Sequence, residues 1–118
     1  MLFEIDEAEA KRAAHEAAGL PPYVMVDCSH GNSDKKADRQ EEVLRSLLES
    51  RGSGCRDVIG FMMESNLYGG KQEIPRDPSR LKFGVSITDP CLSWEKTEQL
   101  LLYACQQHAV GLEHRSAQ

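Results

Sequence analysis

His30, Glu64 and Asp89 are polar residues that each close or follow a short apolar run, and together they offer one imidazole and two carboxylates. That donor set suits a borderline divalent cation such as Mn²⁺, Fe²⁺, Co²⁺ or Zn²⁺. Asp27 stands three residues before His30, at the end of Tyr23-Val24-Met25-Val26. A carboxylate in such a run needs a partner when buried, because an unpaired buried charge is costly. Asp27 can orient His30 or a lysine from another strand, or it can form a salt bridge at the strand end. Each of the other three also has a plainer use: His30 as a hydrogen-bonded loop residue, Glu64 as the polar cap of a sheet end, and Asp89 as a turn residue before Pro90. What favours the metal reading is that all three fall at equivalent positions beside strand ends.

Neighbouring motifs carry less. Asn32, Ser33 and Lys35 follow His30 at an expected helix start, where free backbone N–H groups can hold an anion such as a phosphate. Spacing favours the simpler reading, in which Asn32 or Ser33 caps that helix. Gly69-Gly70-Lys71 is too short for a phosphate-binding P-loop and reads as a flexible turn. Cys28, Cys55, Cys91 and Cys105 include no C-x-x-C pair, so they read as unpaired thiols serving as small buried hydrophobes.

The elements that must position these residues alternate along the chain. A helix is expected from Asp6 to Ala18, in a segment rich in Ala, Glu, Lys and Arg, with a shallow alanine face and a stop at Gly19 before Pro21 and Pro22. Tyr23 to Cys28 reads as a strand. Between Asp34 and Ser50, Ala37, Val43, Leu44, Leu47 and Leu48 recur at helical spacing, and Gly52-Ser53-Gly54 ends the helix. Asp57 to Glu64 is apolar on both faces and reads as a strand covered on both sides. Gly69 to Phe83 reads as a long polar loop. Ser93 is placed to cap a last helix running from Trp94 to Val110, with Trp94, Leu100, Leu101, Tyr103 and Ala104, and Val110 at its end, as its packed surface. Strands separated by helices of this length imply a parallel sheet and an α/β class.

Composition bounds the function. The 118 residues carry 14 Lys plus Arg against 19 Asp plus Glu, a formal net charge of −5, which argues against non-specific nucleic-acid binding. No apolar run approaches the roughly 20 residues of a spanning helix. The acidic start after Leu2, Phe3 and Ile5 is unlike a secretory signal, so a cytoplasmic location is expected.

Four blocks in order, Val26-Asp27-Cys28-Ser29-His30-Gly31-Asn32-Ser33, Ile59-Gly60-Phe61-Met62-Met63-Glu64-Ser65-Asn66-Leu67, Gly84-Val85-Ser86-Ile87-Thr88-Asp89-Pro90-Cys91 and Trp94-Glu95-Lys96-Thr97, strongly resemble the carboxyl-terminal part of type I 3-deoxy-D-arabino-heptulosonate 7-phosphate synthases. The resemblance runs from Leu20 to Ala109. It implies a metal-dependent, aldol-type condensation of phosphoenolpyruvate with erythrose 4-phosphate, at the entry to aromatic amino acid synthesis, on a (β/α)8 barrel. In that family a Cys, a His, a Glu and an Asp hold the metal. His30, Glu64 and Asp89 match the last three, and Asp27 and His30 are the residues expected to carry catalysis. The family's Gly-Pro-Cys-Ser block with the fourth ligand, and its Lys-Pro-Arg-Thr block for phosphoenolpyruvate, have no counterpart here, and Arg76 lies after the wrong strand to replace them.

An eight-unit barrel takes about 250 residues. The expectation is therefore one partial barrel domain over residues 1–118: a preceding helix over 1–19, the last two β/α units over 20–110, and a tail over 111–118. Such a piece is expected to be inactive alone, to leave the apolar faces of Val24, Val26, Ile59, Phe61 and Met63 uncovered, and to self-associate or pair with a complementary barrel fragment. The rival is a non-catalytic module that binds a metal or an intact subunit, or a truncation product.

Overall fold

A computed structural model describes residues 5–116, and their side chains from Lys11 to Ala109. Leu2 and Phe3, and residues 117 and 118 of the expected tail, lie outside the described residues. Helix α1 spans Ile5–Ala17, and Gly19 ends it with a φ of +69°, its N–H donating to the Glu16 carbonyl while Leu20 donates to His15. A left-handed residue just past a helix is where glycine carries no steric penalty. The side chains described on α1 are mostly exposed, as its alanine content implies, and Arg12 reaches Asp57 at 3.2 Å.

Strand β1 (Val24–Asp27) pairs in parallel with β2 (Val58–Met62), Val26 lying opposite Phe61 and Asp27 opposite Met62. The ladder runs one residue further, where Cys28 donates its N–H to the Met62 carbonyl at 2.9 Å. Between them the chain makes a short 3₁₀ turn, His30–Ser33, and then helix α2, Arg39–Gly52. The expected start of α2 at Asp34 is corrected. Asp34 and Lys35 sit at φ of +51° and +58°, a left-handed conformation that no right-handed helix can contain. Asn32 and Ser33 accordingly do not cap α2: Asn32 donates to the Asp27 carbonyl and Ser33 lies against the His30 carbonyl. At the other end, Gly54 at +112° follows the helix as its composition predicted.

Two further two-residue strands, β3 (Ser65–Asn66) and β4 (Leu92–Ser93), pair in parallel and were invisible in the sequence. The segment between them is no idle loop. Gly70 exchanges backbone hydrogen bonds with Cys91 at 2.8 and 3.1 Å, and Lys71 bridges to Ser86, so the Gly-Gly-Lys turn is tied down on both sides rather than flexible. Gln72 adds its side chain, donating to the carbonyls of Lys82 and Val85 and accepting the Lys82 N–H. A 3₁₀ turn at Pro78–Arg80 occupies the outer end. Gly84 is required where it stands: at φ +73° a Cβ there would come within 2.8 Å of Leu67 Cβ.

Ser93 does cap helix α3 (Trp94–Ser116), its Oγ accepting the Lys96 N–H at 3.2 Å. The helix passes through Gly111 instead of stopping at Val110, so residues 111–116 of the expected tail are helical. An interior glycine costs a helix only about 1 kcal/mol. Its buried face is Thr97, Leu100 and Ala104, at helical spacing, whereas Trp94 and Leu101 are exposed, against the expectation. Trp94 lies six residues from Leu100, about 120° around the helix, and so faces away from the core.

The core gathers Cys28, Leu44, Leu92 and Leu100, with Val43, Leu48, Phe61 and Met63 packed against it. Helix α2 thus packs on β2, and α3 packs on α2 and on the β3–β4 pair; a cross-brace of Glu41 to Arg45 and Lys96, with Arg45 stacked over the Tyr103 ring at 4.2 Å, ties the two helices together. The expectation of a strand covered on both sides fails for β2. Ile59, and Met25 on β1, are each 64% exposed. The expected bare face was also partly misassigned, since Val26 is buried and Phe61 and Met63 pack on the core. Alternation along a strand sends successive side chains to opposite faces, and here helices cover only one.

Candidate metal centre

The ends of β1 and β2 carry the site. Beyond Asp27 the chain turns through Ser29 into the 3₁₀ turn, and His30 takes a φ of +49°, an uncommon conformation for a non-glycine residue. That turn brings the imidazole back over its own strand end. His30 Nδ1 lies 2.8 Å from Asp27 Oδ2, while Asp27 Oδ1 accepts the Ser29 N–H at 2.8 Å and the Asp27 carbonyl accepts Asn32 Nδ2 at 2.6 Å. Asp27 is therefore spoken for on both carboxylate oxygens and on its backbone, and of the alternatives open to it the partner is His30.

With Nδ1 facing a carboxylate, the hydrogen belongs on Nδ1 and Nε2 points the other way. Nε2 stands 3.3 Å from Glu64 Oε1 and 3.5 Å from Asp89 Oδ2. One ligand atom from each of His30, Glu64 and Asp89 can be chosen so that all lie within 4.8 Å of one another. Asp27 and two further carboxylates around one imidazole favour its charged form. The His30 pKa is raised, first by the hydrogen bond to Asp27 and then by the charge of Glu64.

Glu64 follows β2 and is held from several directions. The buried Ser29 hydroxyl donates to its Oε2 at 2.6 Å, leaving Oε1 toward His30. Its backbone N–H donates to Gln40 Oε1 at 2.8 Å, and its carbonyl accepts both Gln40 Nε2 at 3.3 Å and the Leu92 N–H at 2.9 Å. Asp89 arrives from the tied segment: Ser86 Oγ accepts the Thr88 N–H, and Cys91 Sγ lies 3.5 Å from the Asp89 carbonyl. Burial first, then the charges of Glu64 and Asp89, push the Cys91 thiol pKa up, against the opposing hydrogen bond from Ser86. A shallow cleft beside the three ligands is lined also by Ser29, Ser33, Lys35 and Pro90.

The sequence thus pointed to Asp27, His30, Glu64 and Asp89, and the structure brings all four together. Ser29 and Gln40 were missed. Gln40 did leave a trace, because it sits three residues before Val43 and four before Leu44, a polar residue on the apolar stripe of α2. The donor set fits a divalent cation: one neutral imidazole nitrogen with its other nitrogen engaged by a carboxylate, and two carboxylates that would otherwise repel each other.

The model of the DAHP synthetase I family matches residues 4–102. The chain is 50% identical over 86 residues to the Tyr-sensitive phospho-2-dehydro-3-deoxyheptonate aldolase of Escherichia coli, covering 73% of this chain and 24% of that protein. It is 42% identical over 102 residues to the tyrosine-inhibited phospho-2-dehydro-3-deoxyheptonate aldolase of Schizosaccharomyces pombe, covering 84% of this chain and 27% of that one. A solved structure of phospho-2-dehydro-3-deoxyheptonate aldolase from Francisella tularensis superposes with a TM-score of 0.81 at 35% identity, over 90% of this chain and 30% of that chain. The chain therefore spans about a quarter of the length of the curated relatives it matches.

Proposed function

This chain belongs to the DAHP synthetase I family, and on that footing we propose that it is the metal-holding, carboxyl-terminal part of a (β/α)8-barrel 3-deoxy-7-phosphoheptulonate synthase, joining phosphoenolpyruvate to erythrose 4-phosphate. The observation that carries this reading is the convergence of His30 Nε2, Glu64 and Asp89 within 4.8 Å. A divalent cation held there by His30, Glu64 and Asp89 would supply Lewis-acid polarisation of the erythrose 4-phosphate carbonyl. The residues do the rest by placement. Asp27 holds the hydrogen on His30 Nδ1 and so presents the Nε2 lone pair, and Ser29 engages Glu64 Oε2 and so presents Oε1. Asp89, from the far side of the tied segment, closes the set.

Isothermal titration with Mn²⁺ tests the ligand assignment. Wild-type chain is expected to bind, weakly for three ligands, and the His30→Ala, Glu64→Ala double variant is expected not to; equal affinity would remove the assignment. Phosphate release from phosphoenolpyruvate plus erythrose 4-phosphate is expected to be absent for the chain alone and to appear on mixing with a fragment that carries the earlier strands. Work on two phosphorylated metabolites by a chain whose four cysteines are unpaired belongs in a reducing, cytoplasmic setting.

A second reading, a non-catalytic module that pairs with another chain, has its own observation. The β1–β2 sheet has only two strands among the described residues, and Met25 and Ile59 are open to solvent beside it. An apolar surface of that kind suits another polypeptide; separately, among the described residues no helix is long and apolar enough to cross a membrane.

A further inference from the structure

Gln40 is 1% exposed, one of the largest fully buried side chains of the molecule, and it is polar. A buried amide is tolerated only where its donors and acceptor are met. Here both are met by a single residue. Gln40 Oε1 accepts the Glu64 N–H at 2.8 Å and Gln40 Nε2 donates to the Glu64 carbonyl at 3.3 Å, the two bonds a neighbouring β-strand would make. Glu64 lies between the last paired residue of β2, Met62, and the first of β3, Ser65; Leu92 of β4 also donates to its carbonyl, while its N–H is met by Gln40. The clip comes from α2, whose next turn supplies the fully buried Leu44 to the core.

We propose that Gln40 is a positioning residue for the metal centre: it fixes the backbone of Glu64 against α2, and so sets where the Glu64 carboxylate stands relative to His30 and Asp89. The inference rests on the metal reading above. Its chemistry is that of a partner one step removed from the cation, whose loss typically lowers metal affinity 10- to 100-fold.

The test compares two substitutions in the whole chain. Gln40→Met keeps the length and roughly the volume of the side chain and removes both bonds. Leu44→Ala, one turn on, opens a cavity in the same helix without touching Glu64. Mn²⁺ affinity by titration and thermal stability are measured for each, and backbone hydrogen exchange at Glu64 is followed without metal. Expected is at least a tenfold loss of Mn²⁺ affinity in Gln40→Met, an affinity within twofold of wild type in Leu44→Ala despite its lower melting temperature, and faster Glu64 exchange only in Gln40→Met. Equal losses in the two variants would make Gln40 merely structural and overturn the proposal. So would an unprotected Glu64 N–H in the wild-type chain, a result available even if Gln40→Met fails to fold. Wild-type chain that binds no Mn²⁺ while its Glu64 N–H stays protected would instead mark the metal reading as the failure, and the inference would fall with it.

Discussion

Asp27 Oδ2 and His30 Nδ1 face each other at 2.8 Å across a turn of three residues. The contact decides which imidazole nitrogen holds hydrogen and which is offered to the centre. Asp27→Asn is expected to reverse that choice, because the amide donates to Nδ1 and drives the hydrogen to Nε2. Mn²⁺ affinity should fall by about 10- to 100-fold. The Ser29 N–H keeps an oxygen to donate to, so the melting temperature should hold. A melt that drops sharply with Mn²⁺ affinity unchanged would make Asp27 a structural salt-bridge residue instead.

The His30 pKa is raised by Asp27 first and by Glu64 next, and the sign of its effect follows. A folded-state pKa above the unfolded value of about 6.5 means that protonated His30 favours the metal-free fold below that pH, and that this contribution is lost as pH rises through the folded pKa. Metal affinity should run the other way, rising as the proton leaves Nε2. An NMR titration should place the His30 midpoint above 6.5 in wild-type chain and lower in Asp27→Asn; a midpoint that ignores Asp27 would contradict the assignment.

Cys28 is fully buried, and burial followed by the charge of Asp27 lifts its thiol to about 11. Cys105 is exposed on α3. Since the thiolate is the reactive form, alkylation at pH 8 should label Cys105 quickly and leave Cys28 unlabelled until the chain unfolds. Mass spectrometry of the labelled peptides reads the order directly, and early labelling of Cys28 would mean that the cluster of Leu44, Leu92 and Leu100 does not cover it.

Met25 and Ile59 place two large apolar side chains in solvent beside a two-stranded sheet. Burying each fully is worth about 1.5 to 3 kcal/mol, a driving force toward association. Light scattering should show the wild-type chain above monomer mass, and Met25→Lys with Ile59→Glu should bring it down. A monodisperse wild-type monomer would contradict this.

How legible the sequence was follows the length of each feature. Gly19 and Ser93 are single residues whose chemistry ends or starts a helix by itself, and both stand where expected. Val43, Leu44, Leu47 and Leu48 announced α2 by period, yet its first turn was misplaced because nothing in Asp34-Lys35 foretells two left-handed residues in succession. Strands β3 and β4 have two residues each, too short for any alternation, and are held by partners far along the chain. Trp94 was taken as core because it is large and apolar, but its angular position on α3 outweighs its composition. At the site, residue types identified the four groups that meet; what supports them, Ser29 and Gln40, is set by distances across 35 and 24 residues that no local pattern encodes.

The side chain of Gln72 has a consequence for how this sequence can change. By bonding Lys82 and Val85 while its own N–H meets the Ser86 carbonyl, it closes residues 73–81 into an outer arc whose two feet are stitched together. Length added inside the arc does not travel past the stitch. The stretch around Asp77 and Ser79 is thus a place where residues can be inserted, lost or cut with Asp89 left in register, a joint at which this surface can diversify without rewriting the centre beneath it.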